Sequence, residues 1–297
     1  MIQRVTIKNF RGLRQVDVRL RPLTVLVGPN DSGKTSFLEA IEWRRNAHAV
    51  RDEDRWRHTS SPEVALSLDG GVSFTGSVEL FRLPSEGIPM KSEGIEDQRG
   101  VPKLAMNGQN LAAFLDYLLR KDRQRFDQIQ QTLRPLVPGF DEIHITTPSA
   151  EKRSIWFRIE DQFEIPGDGL STGVRILLFF TALAYHPNPP QVALVEEPET
   201  GVHPQRLKDI VELLRSLTAG RLGGRKVQVI LTTHSPYLLD HVRLPEDQVI
   251  VFRREPDGRR SAMEADESRL KEFLDEFRLG EVWFNRGEEG LLKAAAR

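Results

Sequence analysis

The chain has 297 residues, 39% hydrophobic and 29% charged, with a formal net charge of −1. It can bury one large core or two small ones, and its balance excludes a global basic field of the kind that holds nucleic acid by charge alone. The lack of cysteine excludes disulfides and thiolate metal sites and fits a reducing compartment.

The opening MIQRVTIKNF lacks the apolar core of a signal peptide, and VTIKNFRGLRQVDVRL alternates apolar and polar residues in two runs split at Arg11-Gly12, which predicts a hairpin. PLTVLV (22–27) reads as a strand ending at Gly28, and SFLEAIEW (36–43) has apolar residues at helical spacing. VSFTGSVELF (72–81) reads as a strand. Residues 84–103, rich in Pro, Gly and charge, read as a mobile loop rather than core. Apolar residues at 111, 115, 118, 126, 129 and 133 predict one long amphipathic helix with a charged centre, RKDRQR, ended by Pro135 and Pro138. EIHITT (142–147) and RSIWFRIE (153–160) read as strands. A helix at about 172–185 is apolar nearly all round and so buried; its ILLFFTALAY is too short to span a bilayer, so no membrane partner is expected and the protein reads as cytoplasmic. QVALVEE (191–197) and KVQVILTTH (226–234) are apolar strands around an amphipathic helix at 204–219, and this order implies a parallel sheet. A strand at 248–254, a partner near 259–265 and a helix near 267–277 follow, with no internal repeat at a fixed period.

GPNDSGKT (28–35) fits G-x-x-x-x-G-K-[ST], between a strand and a helix. Glycines let successive backbone N–H groups turn inward onto phosphate oxygens, and the following helix points its positive end at the same place. Gly28, Pro29, Asn30, Asp31, Ser32, Gly33 and Ser36 are thus candidate nucleotide contacts; Lys34 can reach the β- and γ-phosphates, and the Thr35 hydroxyl can ligate Mg²⁺. A plain strand-to-helix turn is the alternative.

Three further stretches answer this loop. LVEEPE (194–199) brings adjacent carboxylates to a strand's C-terminal end, where parallel sheets bind ligands. Glu196 could hold the Mg²⁺ shell and Glu197 could activate water; otherwise both are solvated. THSP (233–236) puts His234 after another strand, as a donor to the γ-phosphate or as a satisfied structural histidine. LSTGVR (170–175) opens the buried helix: Ser171, Thr172 and Gly173 read as an N-cap or as a second phosphate-binding helix end. Two phosphate sites so far apart in the chain suggest nucleotide sandwiched between protomers.

With NFRGL (9–13), GQNLAAFLDYL (108–118), LSTGVRILL (170–178), EEPETGVHP (196–204), TTHSPYLLD (232–240) and LGEVWF (279–284) in that order, the chain resembles, almost end to end, the soluble, non-transporter ABC-type ATPases of the RecF, SMC and overcoming-lysogenization-defect (OLD) branch. The resemblance implies an α/β P-loop NTPase fold of ABC type: a mixed sheet core, an N-terminal antiparallel β subdomain and a helical subdomain. It implies a single domain over 1–297, with an N-lobe at 1–83, a flexible loop at 84–103, a helical signature subdomain at 104–190 and a C-lobe at 191–297. Gly28, Gly33, Lys34 and Thr35 would be Walker A. Glu196 stands where a Walker B aspartate is usual, and Glu197 would be the catalytic carboxylate. Ser171 and Gly173 would be the signature, reaching the γ-phosphate of the opposite protomer. Thr200 and Gly201 would lie in the D-loop, His234 would be the switch histidine, and Arg11 would contact the base or the α-phosphate. Gln109 is a candidate Q-loop glutamine. Arg175 would serve the nucleotide or an internal carboxylate. STGV in place of SGGQ favours the non-transporter reading.

The implied activity is hydrolysis of ATP, with ATP and Mg²⁺ as cofactors, in an ATP-dependent head-to-tail homodimer. DNA and a separately encoded effector such as a nuclease are the expected partners, in repair or anti-phage defence. The chain has no sustained heptads for a long coiled coil, and residues 285–297 are too few for a TOPRIM domain, so it is not expected to cut DNA itself. Arg44, Arg45, Arg51, Arg55, Arg57, Arg120, Lys121, Arg123 and Arg125 are candidate DNA contacts or solvated helix faces. A non-hydrolysing ATP-dependent scaffold is the alternative function. A P-loop kinase would leave LSTGV and EEPETGVHP unexplained.

Overall fold

The computed structural model describes residues 1–46, 55, 64–68, 76–94, 100–160 and 163–292. In chain order the elements are β1 (Arg4–Phe10), β2 (Leu13–Arg19), β3 (Leu23–Val27), α1 (Lys34–Asn46), β4 (Ala65–Leu68), β5 (Val78–Arg82) and β6 (Lys91–Glu93). Then come α2 (Leu111–Lys121), α3 (Arg123–Leu133), β7 (Phe140–Ser149), β8 (Lys152–Ile159), β9 (Phe163–Pro166), α4 (Thr172–Ala184), β10 (Val192–Glu196) and α5 (Pro204–Ala219). The chain closes with β11 (Gln228–Thr233), α6 (Pro236–Leu239), β12 (Gln248–Arg254), β13 (Arg260–Glu264), α7 (Glu267–Leu274) and α8 (Leu279–Leu291). These form two compact units: residues 1–80, 190–197 and 227–297, and residues 81–189 and 198–226. No helix among the described residues is long and apolar enough to cross a membrane.

The first unit is built on a mixed sheet of order β4-β1-β2-β13-β12-β3-β11-β10-β5. Strands β3, β12, β11 and β10 run parallel, as the strand–helix–strand order required. Every residue of β3 and β11 is buried, so neither strand alternates. At the antiparallel end, β1 and β2 keep the alternation expected of a half-buried hairpin: Val5, Ile7, Val16 and Val18 are buried between polar neighbours. Phe10, Phe37, Ile41, Ile230 and Phe252 centre the core, with Phe37 edge-on to Phe252 at 5.4 Å between ring centroids. Burying each phenylalanine contributes about 2–3 kcal/mol. LGEVWF opens helix α8.

The second unit carries a separate antiparallel sheet, β6-β8-β7 with β9 on β8, and helices α2 to α5. Two sequence expectations fail here. The helix expected over 111–133 is two helices, broken at Asp122, whose backbone (φ −148°, ψ 67°) is not helical. The Asp122 carboxylate accepts from the Arg125 backbone N–H at 3.3 Å and pairs with its guanidinium at 2.9 Å. An aspartate that can cap a new helix start competes with continuation, and apolar spacing does not register this. Asp122→Ala should destabilise the protein by about 1 kcal/mol, read as a lower urea midpoint with an unchanged slope.

Within the segment read as a loose loop, Ile88 and Met90 are fully buried and Lys91–Glu93 pairs antiparallel with β8. Two apolar anchors and the pairing with β8 together fix this stretch; residues 95–99 lie outside the described residues.

Candidate functional site

Three parallel strands position the site. In the sheet register Val27 pairs with Thr233 and Glu196 with Thr232. Gly28, His234 and Glu197 therefore leave neighbouring strands together, at the C-terminal edge where carbonyl-end crevices form.

The 28–33 loop turns from β3 into α1. Gly33 sits at φ 102° and Asp31 at φ 61°, so the chain passes twice through the left-handed region. Gly28 answers a close approach: a Cβ there would lie 2.3 Å from the Phe252 carbonyl oxygen. Pro29 O accepts from Ser32 N at 3.3 Å, and Gly33 O accepts from Phe37 N at 2.9 Å in the first turn of α1. Lys34 is only 6% exposed; its ammonium donates to Gly28 O at 2.7 Å and Pro29 O at 2.9 Å. A nearly buried cation needs such partners. The Thr35 hydroxyl donates to the Glu196 carboxylate. Glu197 has φ 42°, its N–H donates to the Thr232 hydroxyl at 3.2 Å, and its Oε1 lies 3.2 Å from His234 Nδ1.

These groups border a cleft of about 510 Å³, lined by Arg11, Gly12, residues 30–36, Glu197 and Arg260. Arg11 pairs with the Glu39 carboxylate and lies 5.3 Å from the centre of the Phe10 ring. An ammonium, two guanidiniums and the amino end of a helix make the cleft suited to phosphate. Thr35 and Glu196 offer two hard oxygens side by side. Among the described residues no group of three or more histidines and carboxylates could cage a metal. That donor set fits Mg²⁺, which keeps water and phosphate oxygens as its remaining ligands.

Sequence reasoning missed Arg260. Its Nε donates to Asp31 O at 3.0 Å and its guanidinium pairs with the Asp31 carboxylate at 2.7 Å. A strand was expected around it, but nothing in its local sequence marks it out.

The other candidates belong to the second unit. Ser171 is the N-cap of α4, its hydroxyl accepting from Val174 N at 3.4 Å, and its side chain is exposed. Gly173 is buried; a Cβ there would meet Val202 and Arg206 at 3.4 Å. Gln109 stands in a turn with Asn107, whose side-chain oxygen accepts its N–H at 3.1 Å. Arg175 lies close enough to help hold the Asp168 carboxyl below its ordinary range, a shift led by the hydrogen bond from Lys91. It donates to the backbone carbonyls of Leu170 at 2.9 Å, Ile88 at 3.4 Å and Asp168, tying the α4 entry to the 88–90 segment.

Of the candidate DNA contacts, Arg120, Arg123 and Arg125 pair with Asp116, Asp127 and Asp122 at 2.5, 3.0 and 2.9 Å. Their charge is answered locally, as on a solvated helix face. Lys121 is exposed, Arg44 donates to Leu66 O at 3.2 Å, and Arg55 bridges to Phe10. Arg51, Arg57 and the Arg45 side chain lie outside the described residues.

Residues 1–58 match the family described as "AAA ATPase domain", and residues 95–240 match the family described as "AAA domain, putative AbiEii toxin, Type IV TA system". The OLD nuclease of Thermus scotoductus is 24% identical over 94% of this chain and 68% of its own length. The DNA replication and repair protein RecF of Proteus mirabilis is 38% identical over 32% of this chain and 26% of its own length. An SMC head solved with the C-winged helix domain of ScpA superposes with a TM-score of 0.60 at 13% identity, covering 92% of this chain and 99% of that one. The SMC head domain from Thermotoga maritima gives 0.53 at 13% identity, covering 89% and 99%. Beside the phosphate loop and its carboxylates, these matches show a chain similar over residues 1–58 and 95–240 to AAA ATPase-domain families, similar in sequence to OLD nuclease and to part of RecF, and sharing the α/β fold of SMC heads.

Proposed function

We propose that the protein binds and hydrolyses Mg-ATP as a nucleotide-driven dimerisation switch in a DNA-related process. The observation that carries this reading is the Glu197–His234 pair, 3.2 Å apart on the sheet edge that also carries the phosphate loop. A site that only held nucleotide would need the loop but not a carboxylate steered by an imidazole.

Residues 28–36 cradle the phosphates through backbone N–H groups, with Lys34 on the β- and γ-phosphates and Arg11 on the base or α-phosphate. Thr35 and Glu196 hold Mg²⁺. When bound, the ion neutralises phosphate charge. Glu197 orients the attacking water and takes its proton; His234 holds that carboxylate in place and faces the γ-phosphate. Ser171 and Gly173 act across a head-to-tail pair, each copy presenting its α4 amino end to the nucleotide held by the other. Gln109 is the proposed Q-loop glutamine. The domain limits expected from sequence fit this cycle, with the signature in 104–190 and the water-activating residues in 191–297. The partners are a second copy, DNA and a separately encoded effector such as a nuclease, in the cytoplasm and in repair or anti-phage defence. The OLD and RecF homologies support a DNA setting. In the second reading, a non-hydrolysing scaffold, the Glu197–His234 pair has no task.

The test is the mass in solution of wild type and Glu197→Gln, with and without Mg-ATP, alongside phosphate release. The variant should double in mass with Mg-ATP and stop turning over. A mass that never changes, with turnover surviving the substitution, removes Glu197 as the base and the switch with it.

A further inference from the structure

We infer that Arg260 is a positioning residue for the phosphate loop: it ties the tip of that loop to the Arg11–Gly12 turn, and Gly12 is glycine to let it through. The inference rests on the nucleotide reading of the cleft.

One residue touches both walls of the cleft. The Arg260 backbone N–H donates to Gly12 O at 3.2 Å, and Arg260 is the residue of β13 registered with β2, opposite Leu13. Its side chain then crosses to Asp31, with Nε on the Asp31 carbonyl at 3.0 Å and a terminal nitrogen on the carboxylate at 2.7 Å; a second terminal nitrogen is anchored on Gly258 O at 3.2 Å. Asp31 sits at φ 61°, a conformation that L side chains adopt reluctantly, so the loop tip needs an outside hold. Arg254 adds a weaker contact to the same carboxylate at 3.7 Å. The grip passes over two glycines. A Cβ on Gly12 would lie 2.3 Å from Arg260 Cδ, and one on Gly33 would lie 3.3 Å from Arg260 Cβ. Gly12 has an ordinary φ, so what it supplies is space. The glycine of NFRGL is thereby explained by an arginine 248 positions away in sequence. Two donors on Asp31 and a third on Gly258 need a planar fork, which a lysine lacks.

The test uses the full chain carrying Arg260→Ala, Arg260→Lys, Gly12→Ala, Asp31→Asn or the Arg260→Ala/Asp31→Asn pair. The readouts are hydrogen exchange of loop amides 30–34 without nucleotide, and binding and turnover of Mg-ATP. Arg260→Ala and Gly12→Ala should speed loop exchange about tenfold while β3 amides stay protected. They should weaken Mg-ATP binding about tenfold and lower turnover at saturation by less than about threefold, which separates positioning from chemistry. Arg260→Lys should restore only part of the protection, and the Arg260/Asp31 pair should be non-additive. Unchanged loop exchange in both Arg260→Ala and Gly12→Ala, additive effects in the pair, or a loss confined to turnover would each overturn the inference. If Arg260→Ala does not fold, Gly12→Ala and Arg260→Lys decide the matter alone. If wild type binds no Mg-ATP yet loop exchange still responds, the nucleotide reading fails and the tie stands.

Discussion

On the proposed reading, Ser171→Arg should abolish hydrolysis, lowering phosphate release by about a hundredfold or more, while each protomer should still bind Mg-ATP. The expectation follows from where Ser171 stands. It is exposed and it starts α4, a helix otherwise buried along most of its length. Losing its cap to Val174 costs about 1 kcal/mol, which a helix so deeply packed tolerates; a thermal melt checks this. What the arginine removes is the free amino end of α4, which the proposed pair presents to a second copy. Mixing this variant with Lys34→Ala sharpens the test. Each mixed pair contains one composite site with neither substitution, so activity should return to about a quarter of wild type. Turnover retained by Ser171→Arg alone would sink the sandwich arrangement, as would a mixture no more active than its parts.

Lys34→Ala should weaken Mg-ATP binding by about a hundredfold, a loss that calorimetry would read. The ammonium already sits on the loop, held by Gly28 O and Pro29 O, so it stands ready beside incoming phosphate rather than swinging in from solvent. The same geometry sets a second effect. Removing the amine leaves two loop carbonyls to find water, at a cost of about 1–3 kcal/mol, so the variant should also melt earlier without nucleotide. Lys34→Arg should not restore binding, because a planar fork cannot replace a compact ammonium between two carbonyls. Affinity within about threefold of wild type would show that this lysine serves the loop alone.

The parts of the site that were legible in sequence share a cause. Gly28, Glu196–Glu197 and His234 each follow an apolar run short enough to be a buried strand, and parallel pairing brings such strand ends together. The bounds of α5 and β12 fell where apolar spacing put them, at 204–219 and 248–254. Periodicity could not see the break at Asp122, because the apolar stripe continues across it while the backbone follows a capping carboxylate. Composition made 84–94 look loose, yet Ile88 and Met90 are buried and Lys91–Glu93 pairs with β8. Arg175 drew attention as a lone charge on an apolar helix, but its hydrogen bonds go to carbonyls, which sequence does not distinguish. Arg260 escaped because its grip on Asp31 exists only once the sheet has formed. The helix arginines at 120–125 looked free in sequence; their aspartates, three or four residues away, were the available signal.

Strand β3 lies between β11 and β12, whose residues come some two hundred positions later in the chain. On a ribosome moving at about 5–20 residues per second, LTVLV would emerge and then wait on the order of ten to forty seconds for either neighbour. A largely apolar pentapeptide with both edges open is a hazard during that interval. The loop it feeds has its contacts with Phe252 and Arg260 still to come. On the proposed reading, a nascent chain should begin to bind ATP only after residue 260 has cleared the exit tunnel. A stalled or truncated product ending before that point should be a client for chaperones and blind to nucleotide.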